Sequence, residues 1–214
     1  MKKHVNPAHA GRTFDALRGL GYDFNSSVAD LIDNSITPRV GSSEVNIIFR
    51  KEFNKFKNKD RFVLKIIDNG SGMDNDELWN AMTLGADVDE SYTKSDLSRY
   101  GFGMKTASLA HCQILSVISK KNGKVSGYKW DLNRLVGKKN WEMYELDKLE
   151  INNVIEQADI DLGNTWTIVL WNDLFQIEKD YNSYKSAVAS ENYYYKMIAE
   201  LKLHLGMVFH RFLD

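Results

Sequence analysis

The chain has 214 residues, with 28 basic and 29 acidic side chains and a formal net charge of −1. This length is enough to bury a sizeable core, and the balanced charge excludes a strong overall field for nucleic acid or acidic membranes. No apolar run approaches the ~18 residues that a membrane-spanning helix needs. The N-terminus lacks the apolar segment of a signal peptide, so we expect a cytoplasmic protein.

The first predicted element is a helix over Ser26–Ile36, with Ser26 and Ser27 as candidate N-caps. Four positions share one helical face and predict its buried side: Val28, Leu31, Ile32 and Ser35. Two strands follow at Glu44–Arg50 and Arg61–Asp68, where apolar and polar residues alternate. The lysine-rich segment between them predicts a solvated hairpin tip, and a nucleic-acid contact is the weaker alternative.

The middle of the chain predicts a short helix, Asn75–Met82, and then a mobile polar loop over 85–96. Another helix begins near Gly103, and three more strands are predicted at Gln113–Ser119, Val125–Asp131 and Thr165–Trp171. The single cysteine, Cys112, lies in an apolar stretch and predicts a buried structural thiol.

The last segment is a long amphipathic helix that starts near Tyr194. Because prolines are few and no Gly/Ser linker interrupts the chain, we predict one domain over residues 1–180. The helical segment 181–214 is added to it. Two interpretations of this segment stay open, the start of a further, transducer-like region of a longer protein and a C-terminal helix that packs on the sheet.

Two familiar phosphate motifs do not match. Gly101-Phe-Gly-Met-Lys-Thr106 lacks the first glycine and the Gly-Lys pair of a P-loop. Asp68-Asn-Gly-Ser-Gly-Met73 and Gly101–Gly103 lack the third glycine of a dinucleotide fingerprint.

Three other segments carry chemistry, and the first is the predicted helix bearing Asp30 and Asn34. Four residues make about one helical turn, so both side chains lie on one face. A carboxylate there can hold a water for attack while the amide oxygen ligates Mg²⁺. Asp33 is a neighbouring substitute for the carboxylate, although its spacing points it off the Asn34 face.

The second segment is Asp68–Met73, directly after an apolar strand. An acid at this strand end is partly buried and needs a hydrogen-bond donor, which an adenine amine would supply. Gly70 and Gly72 would let the backbone, with Met73, approach the base closely. A strand-ending turn capped by Asp68 is the structural alternative.

The third segment, Arg99–Thr106, joins the polar loop to a helix start. Backbone N–H groups at a glycine-rich helix N-terminus bind phosphate, and a lysine adds charge. The candidate phosphate-binding residues are Gly101, Phe102, Gly103, Met104, Lys105 and Thr106.

The order and spacing of these segments resemble the N, G1 and G2 boxes of the GHKL superfamily of ATPases. Asn164-Thr-Trp-Thr-Ile-Val-Leu-Trp171 resembles its last motif, with Thr165 as the candidate threonine beside the adenine-binding aspartate and Thr167 as the reserve. The stretch Arg99–Ser108 looks closest to the microrchidia (MORC)-like and related prokaryotic ATPases.

The resemblance implies a Bergerat fold, an α/β (α+β) two-layer sandwich with a mixed, mostly antiparallel sheet covered on one face by helices. It implies that Asn34 ligates Mg²⁺, that Asp68 accepts from adenine, and that Gly101–Thr106 wrap the phosphates. Residues 85–99 would form the ATP lid. Many relatives have glutamate where this chain has Asp30, so its shorter reach predicts slow turnover.

The implied function is Mg²⁺-dependent ATP hydrolysis coupled to lid closure and homodimerisation in a larger protein. Relatives often take a catalytic lysine from a following transducer domain, which this sequence does not match. Two alternatives stay open, a non-hydrolysing ATP-sensing switch and an interaction domain. Nucleic acid is not indicated as a partner by the charge, and no membrane partner is expected.

Overall fold

The computed structural model of the protein describes residues 16, 18–19, 21–37, 40–55, 57–83, 103–135, 141–158 and 160–212. The helices are α1 (Phe24–Ile36), α2 (Asn75–Met82), α3 (Gly103–His111), α4 (Leu132–Leu135), α5 (Lys148–Glu156), α6 (Phe175–Ser183) and α7 (Ala187–Val208). The strands are β1 (Val45–Asn54), β2 (Lys59–Asp68), β3 (Cys112–Lys121), β4 (Lys124–Asp131), β5 (Tyr144–Glu145) and β6 (Trp166–Leu174).

The strands of this part of the chain form one six-stranded sheet in the order β1-β2-β6-β3-β4-β5. Each described pair is antiparallel. The turn between β3 and β4 is Asn122-Gly123, where both residues have positive φ, 52° and 75°. That geometry matches the right-handed twist of the strands it joins. β6 is inserted between β2 and β3, which brings three segments distant in sequence side by side.

The two faces of the sheet carry separate apolar clusters, because side chains alternate along each strand. The larger cluster includes Leu64, Leu115 and Trp171 and packs with residues of α1, α2, α3, α6 and α7. The smaller includes Ile67, Ile118 and Ile168 and packs against Ile151 of α5. The predicted sandwich is confirmed, and α5 adds a helix to the face that we expected to be uncovered.

Several predicted boundaries are wrong by a few residues. The first helix begins at Phe24 and its N-cap is Asp23, whose carboxylate accepts from the Ser26 N–H at 2.8 Å. The serines proposed as caps therefore lie inside the first turn. The first two strands extend through most of the lysine-rich segment, so their connecting turn is shorter than the predicted tip.

The C-terminal helix begins at Ala187, earlier than predicted, with Ser186 as its N-cap. Leu201 of this helix and its C-cap residue Phe209 are buried in the main cluster, and α7 packs against α1 and α6. The division at residue 180 stays a prediction. Within the described residues, no helix combines the length and apolar character that crossing a bilayer requires.

Cys112 is fully buried, and burial raises the pKa of its thiol, which keeps the thiol protonated and suits a structural cysteine. Its neighbour His111 lies against the Trp171 ring, and its Nε2 is 3.0 Å from the Ser27 hydroxyl. Burial lowers the pKa of His111 to about 4. These two residues join α3 to β3 as packing elements.

Candidate functional site

A row of three polar side chains, called the acceptor row below, crosses one end of the sheet on the face that carries the larger apolar cluster. Asp68, the last residue of β2, pairs with Thr167 of β6, and Thr167 pairs with Ser119 of β3. One row further in, the same strands present Ile66, Val169 and Val117. Opposed residues have Cβ atoms about 4.5–5.5 Å apart, so the three polar side chains are neighbours.

Asp68 is the acid of this row and is buried, with 5% of its surface exposed. Its Oδ1 accepts from the Gly70 N–H at 3.0 Å and the Ser42 hydroxyl at 3.3 Å, and its Oδ2 accepts from the Ser35 hydroxyl at 3.2 Å. A carboxylate offers about four acceptor positions. With respect to the described residues, one position on Oδ2 therefore remains for a further N–H or O–H donor.

Burial raises the pKa of Asp68, and the hydrogen bonds from Gly70, Ser35 and Ser42 act in the opposite direction. An isolated carboxylate would not stay charged in such surroundings. Because the three donors stabilise the ionised form, Asp68 can accept a further hydrogen bond at the edge of the apolar core.

The glycines after Asp68 are required by contacts within the chain. A Cβ at Gly70 would lie 2.3 Å from Val40 Cγ1, and one at Gly72 would lie 2.1 Å from the Lys120 carbonyl oxygen. Gly72 also has a φ of +64°. Both glycines therefore serve the close packing of this turn on its neighbours.

Changing Gly72 to alanine is expected to lower the free energy of unfolding by more than about 3 kcal/mol, since it adds a backbone clash to left-handed strain. Gly123 is the matched control, because its φ is +75° and a Cβ there meets nothing within 4 Å. Gly123→Ala should cost only about 1 kcal/mol. Equal losses in urea denaturation of the two variants would contradict the packing role of Gly72.

Ser119 joins the Asp68–Met73 turn to the strand that bears Thr167. Its Oγ accepts from the Met73 N–H at 2.8 Å, donates to the Trp166 carbonyl at 2.9 Å and lies 2.9 Å from the Thr167 hydroxyl. We did not predict this serine as a site residue. The sequence signal for it is the alternation along β3, because Ser119 follows Leu115 and Val117 at every second position and so lies on the same buried face of the strand.

The helix α1 supplies the second part of the site. Ser35 links it directly to Asp68, a role that sequence reasoning missed although Ser35 lies on the predicted buried face. Asn34 is half-buried and Asp30 is exposed. Neighbouring protein atoms shield the Asp30 carboxylate from part of the solvent, and this partial burial raises its pKa. Partial burial together with the charge of Asp30 raises the pKa of Asp33. The two carboxylates therefore interact electrostatically.

The phosphate-binding prediction falls partly outside the described residues, which exclude Gly101 and Phe102, as well as the predicted loop and lid over 85–99. Gly103 begins α3, Met104 packs on the main cluster, and Thr106 is buried. Lys105 is 2% exposed and its Nζ donates to the Thr83 carbonyl. Burial lowers the pKa of Lys105 to about 8.

The predicted threonine, Thr165, lies just before β6 and is half-buried. It lines a shallow cleft of about 240 Å³ at the same end of the sheet, together with Asn69 and residues 161–164. Thr167, the reserve candidate, is the strand partner of Asp68. The structure thus places the acid beside Thr167 and puts Thr165 two residues further along.

A metal cage built by protein side chains alone is absent from the described residues, which hold no cluster of three histidine, cysteine or acidic side chains. Mg²⁺ commonly uses one or two protein oxygens together with phosphates and waters. The Asn34 side-chain amide, for which the described residues show no hydrogen-bond partner, fits that smaller role.

The fold and the acceptor row define an α/β sandwich with a polar site at one end of its antiparallel sheet. The family model described as "Histidine kinase-, DNA gyrase B-, and HSP90-like ATPase" matches residues 22–161, well over half of the chain. The chain belongs to this family, which confirms the GHKL resemblance and identifies an ATP-binding module. The match includes all three predicted boxes and ends before β6. None of the curated proteins matches the chain significantly.

Proposed function

We propose that the chain binds ATP with Mg²⁺ at the acceptor row and hydrolyses it, and that hydrolysis is coupled to lid closure and dimerisation within a larger protein. The observation that carries the proposal is the buried Asp68 carboxylate with one acceptor position left beside Thr167. The exocyclic amine of adenine is a donor that fits this position. The family match supports the same ligand.

Asn34 is the residue that we propose as the protein ligand of Mg²⁺, through its amide oxygen. The ion would neutralise charge on the triphosphate. Asn34 lies next to Ser35, which is hydrogen-bonded to Asp68, so the proposed metal ligand and the hydroxyl that contacts the base-reading acid are consecutive residues of α1. The similarity to MORC-like ATPases stays a prediction.

Asp30 is the residue that we propose as general base. It would take a proton from water as the water oxygen bonds to the γ-phosphorus and the bond to the β-phosphate oxygen breaks, releasing ADP. Its exposure leaves room for a water, and it lies one turn before Asn34, on the same face of α1 as the proposed metal ligand.

Lys105 gives the phosphate proposal a pH dependence. Its pKa of about 8 means that the ammonium is half neutralised near pH 8 in the free protein. A bound triphosphate favours the charged form and raises this pKa, so binding takes up a proton. ATP affinity should be full about one pH unit below 8, should begin to decline near pH 8 and should fall by up to about tenfold per pH unit above it.

Calorimetric titration of ATP between pH 7.5 and 9.5 measures this dependence. Lys105→Met should bind ATP more weakly at pH 7.5 and should lose most of the slope. Lys121→Met is the control, because that lysine pairs with Glu77 on the exposed surface. A slope that is unchanged in Lys105→Met would remove Lys105 from the phosphate site.

Thermal denaturation tests the proposed function as a whole. ATP should raise the melting temperature by mass action, and Mg²⁺ should increase the rise. At a ligand concentration of about 100 times Kd, the added stability is about 2.7 kcal/mol. No shift at saturating ATP, with or without Mg²⁺, would contradict nucleotide binding.

An ATP-sensing switch without useful hydrolysis is the second candidate. One observation favours it, the aspartate at position 30 where many relatives have glutamate, because the shorter side chain reaches less far toward the attacking water. A full thermal shift without phosphate release would support the switch over the ATPase.

A further inference from the structure

The three neighbours of the Ser119 hydroxyl determine where its proton and its two lone pairs point. A serine hydroxyl offers one proton and two lone pairs. The Trp166 carbonyl at 2.9 Å can only accept, so the single Ser119 proton points there. The Met73 N–H at 2.8 Å can only donate, so it occupies one lone pair.

The third contact of Ser119 then has a fixed direction. The Thr167 hydroxyl lies 2.9 Å from Ser119 Oγ, and distance alone leaves either oxygen as the donor. Because the Ser119 proton is already used, the Thr167 proton must point to Ser119. Thr167 therefore keeps only lone pairs for other partners.

The Asp68 carboxylate lies beside the Thr167 hydroxyl and, like it, can only accept hydrogen bonds from a ligand. It pairs with Thr167 across β2 and β6, and its remaining Oδ2 position is also an acceptor. Two acceptors side by side attract a group with two protons, such as an aromatic amine, and repel a carbonyl oxygen. One bridging water preserves the preference, because it spends both protons on the acceptors and presents a lone pair to the ligand.

We infer that Ser119 is a positioning residue that fixes Thr167 as an acceptor and thereby makes the site select 6-amino over 6-oxo purine nucleotides. The inference rests on the proposed function, because it requires the base to lie against Asp68 and Thr167. Ser119 acts through Thr167 and does not itself touch the nucleotide.

Binding of ATP and of inosine triphosphate (ITP), which carries an oxygen at C6, tests this role. In Ser119→Ala, the Thr167 proton is released and can turn toward the 6-oxo group. ITP should therefore bind about fivefold more tightly to this variant, the fold-change of one neutral hydrogen bond. ATP should bind no more tightly than to the wild type, so the ATP preference falls.

A damaged fold would weaken both nucleotides, so the gain for ITP separates positioning from a structural role. Ser116→Ala is the matched control, because Ser116 is buried on the same strand but on the other face. It should leave the ATP-to-ITP ratio unchanged. In a Thr167→Val background, Ser119→Ala should cause no further change in that ratio.

The outcomes separate the two proposals. Wild-type protein that binds neither nucleotide would overturn the proposed function. Wild-type protein that prefers ATP, with the same ratio in Ser119→Ala, would overturn only the role of Ser119. If Ser119→Ala does not fold, Thr167→Val and Thr167→Ser decide. The valine should lower the preference, with Asp68 supplying what remains, and the serine should keep it in full; an unchanged preference in the valine variant contradicts the inference.

Discussion

Replacing Asp68 with asparagine is expected to weaken ATP binding by about tenfold to a hundredfold. A hydrogen bond to a charged group contributes about 1.5–3 kcal/mol, and about 1.4 kcal/mol corresponds to tenfold in Kd. Asparagine keeps one acceptor oxygen for Gly70 and Ser42 but places an N–H₂ group where Oδ2 was. The N–H₂ group, the Ser35 hydroxyl and the adenine amine are all donors. The amine therefore loses the acceptor that Oδ2 of Asp68 supplies.

The variant should still fold, because it removes a buried charge whose pKa is raised by that burial. Asp131→Asn is the matched control. Asp131 also ends a strand, is 8% exposed and accepts from the backbone N–H two residues later, Asn133, at 3.1 Å. It lies on β4, away from the acceptor row.

Isothermal titration of both variants with a non-hydrolysable ATP analogue gives the comparison. Weakened binding in Asp68→Asn with wild-type binding in Asp131→Asn supports the assignment of Asp68 to the base. Wild-type affinity in Asp68→Asn, in a protein with a normal melting curve, would place the nucleotide elsewhere.

Local pattern was enough to predict Asp68 as a partly buried acid but not to choose between the two threonines. An aspartate that ends an apolar strand and precedes a glycine-rich turn signals a buried acid with special backbone geometry. The partner threonine depends on which residue of β6 lies opposite Asp68, and the register of strands about 100 residues apart is a tertiary property. The boundary prediction began β6 one residue early, at Thr165, whereas the strand begins at Trp166.

The serines of the site show a second limit of sequence reasoning. Ser35 and Ser119 occupy positions that the helical and strand periods assign to the core, and a hydroxyl there needs a partner. The pattern therefore marks both as unusual, but their partners, Asp68 and Thr167, appear only when the elements are assembled. The N-cap error has a simpler cause, since Asp23, Ser26 and Ser27 all have side chains suited to capping.

Replacing Asp30 with asparagine should lower the rate of ATP hydrolysis by about 10²–10⁴-fold, the usual contribution of a general base. ATP affinity should change by less than about threefold, because Asp30 is proposed to contact water and not the nucleotide. Asp33→Asn is the control. It removes a carboxylate from the same helix and also relieves the electrostatic interaction between the two acids.

The pH dependence of turnover distinguishes a base from a structural carboxylate at position 30. A general base must be ionised, and burial raises the pKa of Asp30. Activity should therefore be lost as pH falls through that raised pKa, at a higher pH than an ordinary aspartate would give. Asp33→Asn should retain most of the rate and leave this midpoint close to the wild-type value, because burial raises the pKa of Asp30 whereas the interaction between the two acids acts on the pKa of Asp33. Single-turnover hydrolysis with protein in excess measures both effects, and full activity in Asp30→Asn would assign the base to another group.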